Sequence, residues 1–586
     1  MDDEIVNAGI INEWKALPYD WRLDFDTLLK SGTVINDKIY YSDFTTNEPY
    51  LLEEIEKLTK SSDSGKVSIV AHSMGGLVAK TLLERIKDEN HPYHYLYPKI
   101  DQLILVASPQ LGTPKAIEGL LHADKQQIGI FGEFGILLDE EVARELGENM
   151  QSAYNLLPSK EYFSRVASPV ITFHDSLFDG IKFIDELKHR AGTEITSYND
   201  MYDFLLGDNG KRTEPDPNNE EYPNVLKKDL LDVATNLHNV DIDSWIAPDH
   251  IDVFQIVGWG EKTIKGIEYS CPMLTCNIDI DKLDRELKFT KEGDGTVVVP
   301  SAEAMDVQTY FMDLDDYNSW WEGQRNRSHA DILETDPAQE LIKSILQNET
   351  DFILPAYSAA TKPIQTDADY ELILRSPASI DVYDNNGNHT GLIDNSSDSD
   401  LRFYEARIPN SYYIESAGHK YVGFGSDDEY DVLLYGEDLG SFTLNIRKTF
   451  KDVVIDEQVF LNIPVTASTK ARFSIDGENV SSMELDVDGD DVVDITINDN
   501  AAHYITSLEV LEKIIQSLDI ERGIQNSFVK KIQNTLKSLT KENNEAARGQ
   551  LQALKNQLQA QSGKKIGEEM VEKLLNIIDK ILILMP

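Results

Sequence analysis

Apolar and polar positions alternate with three different rhythms along the chain. Residues 66–72, KVSIVAH, form a short β-branched run that reads as a buried strand. Gly75 and Gly76 follow, opening an apolar, basic helix, LVAKTLLERI, that runs through about residue 86. Residues 100–107, IDQLILVA, form a second buried strand, so strand, helix and strand make a βαβ unit of a parallel sheet. Residues 251–258 and 306–313 read as further strands. Residues 113–250 are helix-rich (LDEEVARELGENM, NVLKKDLLDVATNL) with polar loops such as TEPDPNNEEYPN, the pattern of an insertion covering one end of the sheet. From 351 the rhythm changes to short alternating strands separated by turn signals such as DNNGN and DNSSDSD. This predicts a β-sandwich-like module over 351–450 and a short β module over 451–500. Residues 501–586 return to helical spacing: Ile524, Phe528, Ile532, Leu536 and Leu539, then Leu551, Leu554 and Leu558, then Val571, Leu574, Leu575 and Ile578. A small helical bundle is expected there.

Charge narrows the function classes. Across 586 residues, 103 acidic and 54 basic side chains leave a net charge of −49. Such a surface repels phosphate backbones, so nucleic acid is excluded as the main partner. No apolar run approaches the ~20 residues that span a bilayer. The opening MDDEIVNAGI lacks the basic and then apolar pattern of a signal peptide. The chain is therefore expected to be either cytoplasmic or a fragment beginning downstream of its true start. Cys271 and Cys276 are too few for a zinc site, which needs about four ligands. They are either one hairpin disulfide or two free thiols.

Candidate chemistry centres on SIVAHSMGGLVAK, which places Ser73 directly after a strand and directly before a helix. That is the setting of a nucleophile elbow, a sharp turn whose flanking positions must be small; Ala71 and Gly75 satisfy this, although Ala71 departs from G-x-S-x-G. The N–H of Met74, at the helix start, is the expected oxyanion donor. A serine hydroxyl needs a base, and this fold requires the chain order Ser, acid, His. Asp294 in EGDGTVVVP is the acid candidate, its flanking glycines allowing a tight turn. Of the histidines after it, His329, His389, His419 and His503, only His329 lies in the α/β region. Asp294 would hold the His329 tautomer and offset its charge.

PYDWR (Pro18 to Arg22), AHSMGG (Ala71 to Gly76), GTP (Gly112 to Pro114) and GDGTV (Gly293 to Val297) resemble the lecithin:cholesterol acyltransferase-like lipases of the α/β-hydrolase fold over about residues 10–350. The resemblance implies a catalytic domain over 1–350 with a helical lid above an apolar acyl pocket, part of it at 148–163. It implies a Ser73–Asp294–His329 triad, an acyl-serine intermediate, and a lipid or other apolar ester as substrate, with no cofactor required. The C-terminal modules are similar to those that follow secreted bacterial or archaeal lipases. Family members carry an HG- or PG-type loop before the YDWR region, supplying a second oxyanion donor. The 18 residues before Tyr19 contain none, so an N-terminally truncated, secreted protein is expected.

Two further features stand apart from this reading. In LDVDGDDVVD, Asp486, Asp488, Asp490 and Asp494 alternate as in calcium loops but lack the Glu at position twelve, leaving a looser calcium site or an acidic strand edge. Trp320 and Trp321 either line the acyl pocket or belong to the core. A rival function, a catalytically weakened surface or adhesion protein using the hydrolase domain as scaffold, is motivated by the long C-terminal region and the missing loop.

Overall fold

Strand β1 (Val67–His72) leads into helix α1 (Met74–Ile86) and strand β2 (Ile100–Val106), and β1 and β2 pair in parallel. Strands β3 (Asp252–Trp259) and β4 (Gln308–Asp313) extend the sheet, also in parallel, and Ser358–Ala359 adds an antiparallel edge. Strand order is 358–359, β4, β3, β2, β1. The computed structural model describes residues 5–36, 38–41, 49–122, 127–131, 134–137, 144, 146–173, 193–207, 212, 222–270, 284–320, 326–349, 352–375, 377–393, 402–426, 428–498 and 503–585. Cys271, Cys276, Trp321, the side chain of Trp320 and much of 138–145 and 213–221 lie outside them.

The β2 run is apolar at nearly every position because both of its faces are covered. Leu103 and Leu105 pack with Leu77, Leu82 and Leu83 of α1 and with helices Phe25–Lys30 and Tyr50–Ser61. Ile104 and Val106 point the other way, onto Leu341, Ile342 and Ile345 of helix α2 (Asp336–Leu346). The period of two along a strand thus divides one hydrophobic run between two cores. Mixed α/β structure around a parallel sheet fits an α/β hydrolase.

Described segments of residues 113–250 pair into two further sheets. Ile171–Phe173 and Glu194–Ile195 join the hairpin Thr263–Ser270 and Asp284–Thr290 in a four-stranded sheet. Helices Tyr198–Leu205 and Lys228–Leu237 bury Met201, Phe204 and Leu231 against Ile267 and Leu287 of that hairpin. Strands Gln127–Phe131 and Phe134–Leu137 pair with each other at the outer edge of a C-terminal sheet, and the second of them pairs with Arg402–Ala406.

Residues 369–497 form a five-stranded sheet and, together with Gln127–Phe131 and Phe134–Leu137, a ten-stranded one. Leu372, Val422 and Phe424 of the first share one apolar core with Val382, Val432 and Phe473 of the second. The expected division at 450/451 falls inside a hairpin. Gly440–Phe450 pairs antiparallel with Val453–Val465 across Lys451 and Asp452, both at positive φ (49° and 62°). Positive φ at both central residues matches the right-handed strand twist, so a turn signal stands where a module boundary was expected. Helices His503–Ser517, Arg522–Leu539, Asn544–Gln561 and Glu568–Leu584 follow, with Phe528, Ile532, Leu551, Leu554, Leu574 and Ile578 buried together. Among the described residues, no helix is long and apolar enough to cross a membrane.

Candidate active site

Ser73 sits where β1 turns into α1, with φ 54° and ψ −132°. A non-glycine residue in this region costs about 1–3 kcal/mol and persists only when its surroundings enforce it. Here β1 and β2 are locked in register and the Ser73 N–H donates to Val106 O at 2.9 Å. The N–H of Met74 opens α1 and by helix geometry has no intrahelical acceptor.

The steric demand at the elbow differs from expectation. A Cβ on Gly75 would meet only the Tyr19 hydroxyl, at 3.7 Å, an ordinary contact, and nothing of Ala71. A Cβ on Gly76 would lie 2.1 Å from Ser108 Oγ and 2.7 Å from Ser108 Cβ. Gly76, packed against the end of β2, is therefore the position that must lack a side chain. Gly76→Ala is expected to lower the unfolding free energy by about 1–3 kcal/mol. Gly75→Ala leaves it unchanged or raises it by up to about 1 kcal/mol. Urea denaturation of the two variants checks this.

Asp294 lies in the turn that follows strand Asp284–Thr290, beside Gly295 at φ 93°, and it is 1% exposed. Its Oδ1 accepts from Thr296 N (3.0 Å) and Val297 N (2.7 Å), and its Oδ2 faces His329 Nδ1 at 2.9 Å. His329 Nε2 lies 2.8 Å from Ser73 Oγ. Three side chains from the ends of three chain segments thus form one continuous hydrogen-bonded path. Thr113 of the GTP segment steadies the acid turn by donating to Thr296 O at 2.7 Å.

The loop before His329 is held at successive residues. Asn318, buried after β4, donates from Nδ2 to Arg327 O (3.0 Å) and to Glu261 Oε1 (2.6 Å), and its Oδ1 accepts from Arg327 N (2.8 Å). Ser328 N donates to Asp331 Oδ1 at 2.8 Å, and His329 N donates to Asp294 O at 2.7 Å. Burial, reinforced by the nearby Asp315 carboxylate, pushes Glu261 up to about 8, so it stands as a neutral carboxyl at pH 7. His72 Nε2 lies 2.8 Å from His329 O, and burial followed by the neighbouring His329 lowers its pKa. Neutral His72 can therefore donate to that carbonyl. Glu261, Asn318 and the contact made by His72 carry no signal in the sequence, because what each side chain holds is set by the folded loops and not by a local pattern.

Trp21 is largely exposed, and Arg22 forms a two-point pair with Asp20 at 2.8 and 2.7 Å. Ligand oxygens of Asp486, Asp488 and Asp494 lie within 4.8 Å of one another, without Asp490. The Asp486 carboxylate accepts from the N–H groups of Gly489, Asp490 and Asp491, and Asp494 accepts from Val487 N and from Lys513 Nζ. The acidic run is thus a self-capped turn beside a lysine.

A family model described as lecithin:cholesterol acyltransferase matches residues 1–309, a span that holds Ser73, Met74 and Asp294 and ends before His329. No curated protein matches the chain. Among solved structures, a chain of the crystal structure of the Tle4-Tli4 complex aligns with 16% identity and a TM-score of 0.32. It covers 52% of this chain, and this chain spans 64% of the length of that one.

Proposed function

Because the chain belongs to the lecithin:cholesterol acyltransferase family, we propose that it is a serine hydrolase or O-acyltransferase acting on lipid or other apolar carboxylic esters. The observation that carries this reading is the path Ser73 Oγ–His329 Nε2 (2.8 Å) and His329 Nδ1–Asp294 Oδ2 (2.9 Å). Ser73 Oγ attacks the ester carbonyl while its proton passes to His329 Nε2. The Met74 N–H stabilises the oxyanion, a contribution of about 3–4 kcal/mol when such a donor is well placed. His329 returns the proton to the leaving alcohol, and the acyl group remains on Ser73. Water or a second alcohol then attacks the acyl carbon, giving its proton to Nε2, and Ser73 leaves with that proton. Asp294 offsets the imidazolium charge.

The apolar-substrate class is supported by the family. The test compares hydrolysis of emulsified long-chain esters with that of short soluble ones, and alcoholysis when a lipid alcohol is added. Rates rising at least tenfold with chain length are expected. Equal rates on both classes overturn the substrate assignment.

A further inference from the structure

Asn326, three residues before His329, reaches out of the catalytic region into the C-terminal β region. Its Nδ2 lies 3.1 Å from Ala406 O, 2.8 Å from Ile408 O and 3.1 Å from Ser411 O, and its Oδ1 accepts from Asn410 N at 3.0 Å. One amide therefore uses both ends on the connection between strands Arg402–Ala406 and Tyr412–Ser416. Asn410, in the left-handed region at φ 57°, also donates from its side chain to Ser319 Oγ at 2.5 Å, on the helix that carries Asn318.

The surface presenting this connection is itself anchored. Glu286 on the hairpin strand Asp284–Thr290 pairs with Arg375 (2.9 Å) and Arg447 (2.6 Å) of the five-stranded sheet. Lys291 pairs with Asp369 at 2.9 Å, and the Tyr421 hydroxyl accepts from Leu287 N at 3.1 Å. Ile373 and Tyr421 are buried in the same apolar cluster as Phe204 and Leu231. A connection held this firmly can serve as a fixed reference for the loop it grips.

We propose that the C-terminal β region is a working part of the active site: residues 406–411 clamp Asn326 and so fix the backbone that carries His329. Asn326 is a positioning residue, acting through the imidazole. The assignment rests on the acyl-serine reading. Its physical basis is that proton transfer between Ser73 and His329 depends steeply on their separation, and a displacement of about 1 Å costs roughly 100-fold in rate.

The experiment uses the full chain with Asn326→Ala and Asn326→Asp. The alanine removes all of these contacts. The aspartate keeps the acceptor toward Asn410 N but sets a carboxylate oxygen against three carbonyl oxygens, so it is expected to have the larger effect. For both, kcat on an apolar ester falls about 10- to 100-fold, KM stays within about twofold, and the rate of fluorophosphonate labelling at Ser73 falls in parallel with kcat. Lys265→Ala, which removes a 2.9 Å bridge to Asp452 between the same two regions, leaves kcat unchanged. Circular dichroism at the assay temperature gives the folded fraction; if the aspartate variant does not fold, the neutral alanine variant carries the test. Labelling and kcat per folded molecule within twofold of the parent in the folded variants overturn the clamp. If the parent itself is never labelled at Ser73, the acyl-serine reading falls and the clamp with it; parental labelling with undiminished variants rejects the clamp alone.

Discussion

Replacing Ser73 by alanine is expected to lower turnover of a long-chain ester by about 10⁵- to 10⁶-fold and to abolish fluorophosphonate labelling. The argument is local. Ser73 Oγ is the atom 2.8 Å from His329 Nε2, and an alanine at φ 54° bears the same backbone strain as the serine, so the elbow keeps its shape. His329, Asp294 and the Met74 N–H stay in place, and what is lost is the atom that forms the acyl bond. Residual catalysis of roughly 10³- to 10⁴-fold over water can persist from oxyanion stabilisation and binding alone. Labelling with a fluorophosphonate, with the adduct located by peptide mass spectrometry, checks the prediction. An adduct formed as quickly in Ser73→Ala as in the parent would remove Ser73 as nucleophile.

Asp294→Asn is expected to lower kcat about 10⁴-fold while leaving the fold intact, and here the structure dictates the mechanism. Oδ1 of Asp294 accepts from two backbone N–H groups, those of Thr296 and Val297. An asparagine must keep its carbonyl oxygen at that position, because turning its NH₂ there would oppose donors to donors and leave them unsatisfied in a buried site. Its NH₂ then faces His329 Nδ1. The imidazole must accept at Nδ1 and carry its proton on Nε2, which puts an N–H toward Ser73 in place of a lone pair. The base is thereby lost through its tautomer while every heavy atom remains near its place. Kinetics across pH 6–9 with a soluble ester check this. A kcat within tenfold of the parent would show that Asp294 does not set the His329 tautomer.

The two variants probe opposite ends of one path, and the clamp at Asn326 probes the loop that joins them. Asn318 connects Glu261 to that same loop through 2.6, 2.8 and 3.0 Å bonds. Support for His329 therefore comes from the turn after β3, from the helix after β4 and from the C-terminal β region.

The sequence alone determined what depends on neighbours along the chain. The β-branched run at 67–72, the glycines after Ser73 and the apolar run at 100–106 marked β1, α1 and β2, because strand and helix rhythm are set within a few residues. The order Ser73, Asp294, His329 was legible for the same reason: each lies at a strand end or in a turn with its own local signal. Only the tertiary structure decided which positions meet across hundreds of residues. It moved the steric demand of the elbow from Gly75 to Gly76, because Ser108 arrives from β2. It turned the expected boundary at 450/451 into a hairpin and gave the strands at 127–137 to a C-terminal sheet. It also placed Asn326 against residues 406–411. A side-chain amide reads the same in any loop, and what it holds is set by the packing of surfaces that the linear order does not bring together.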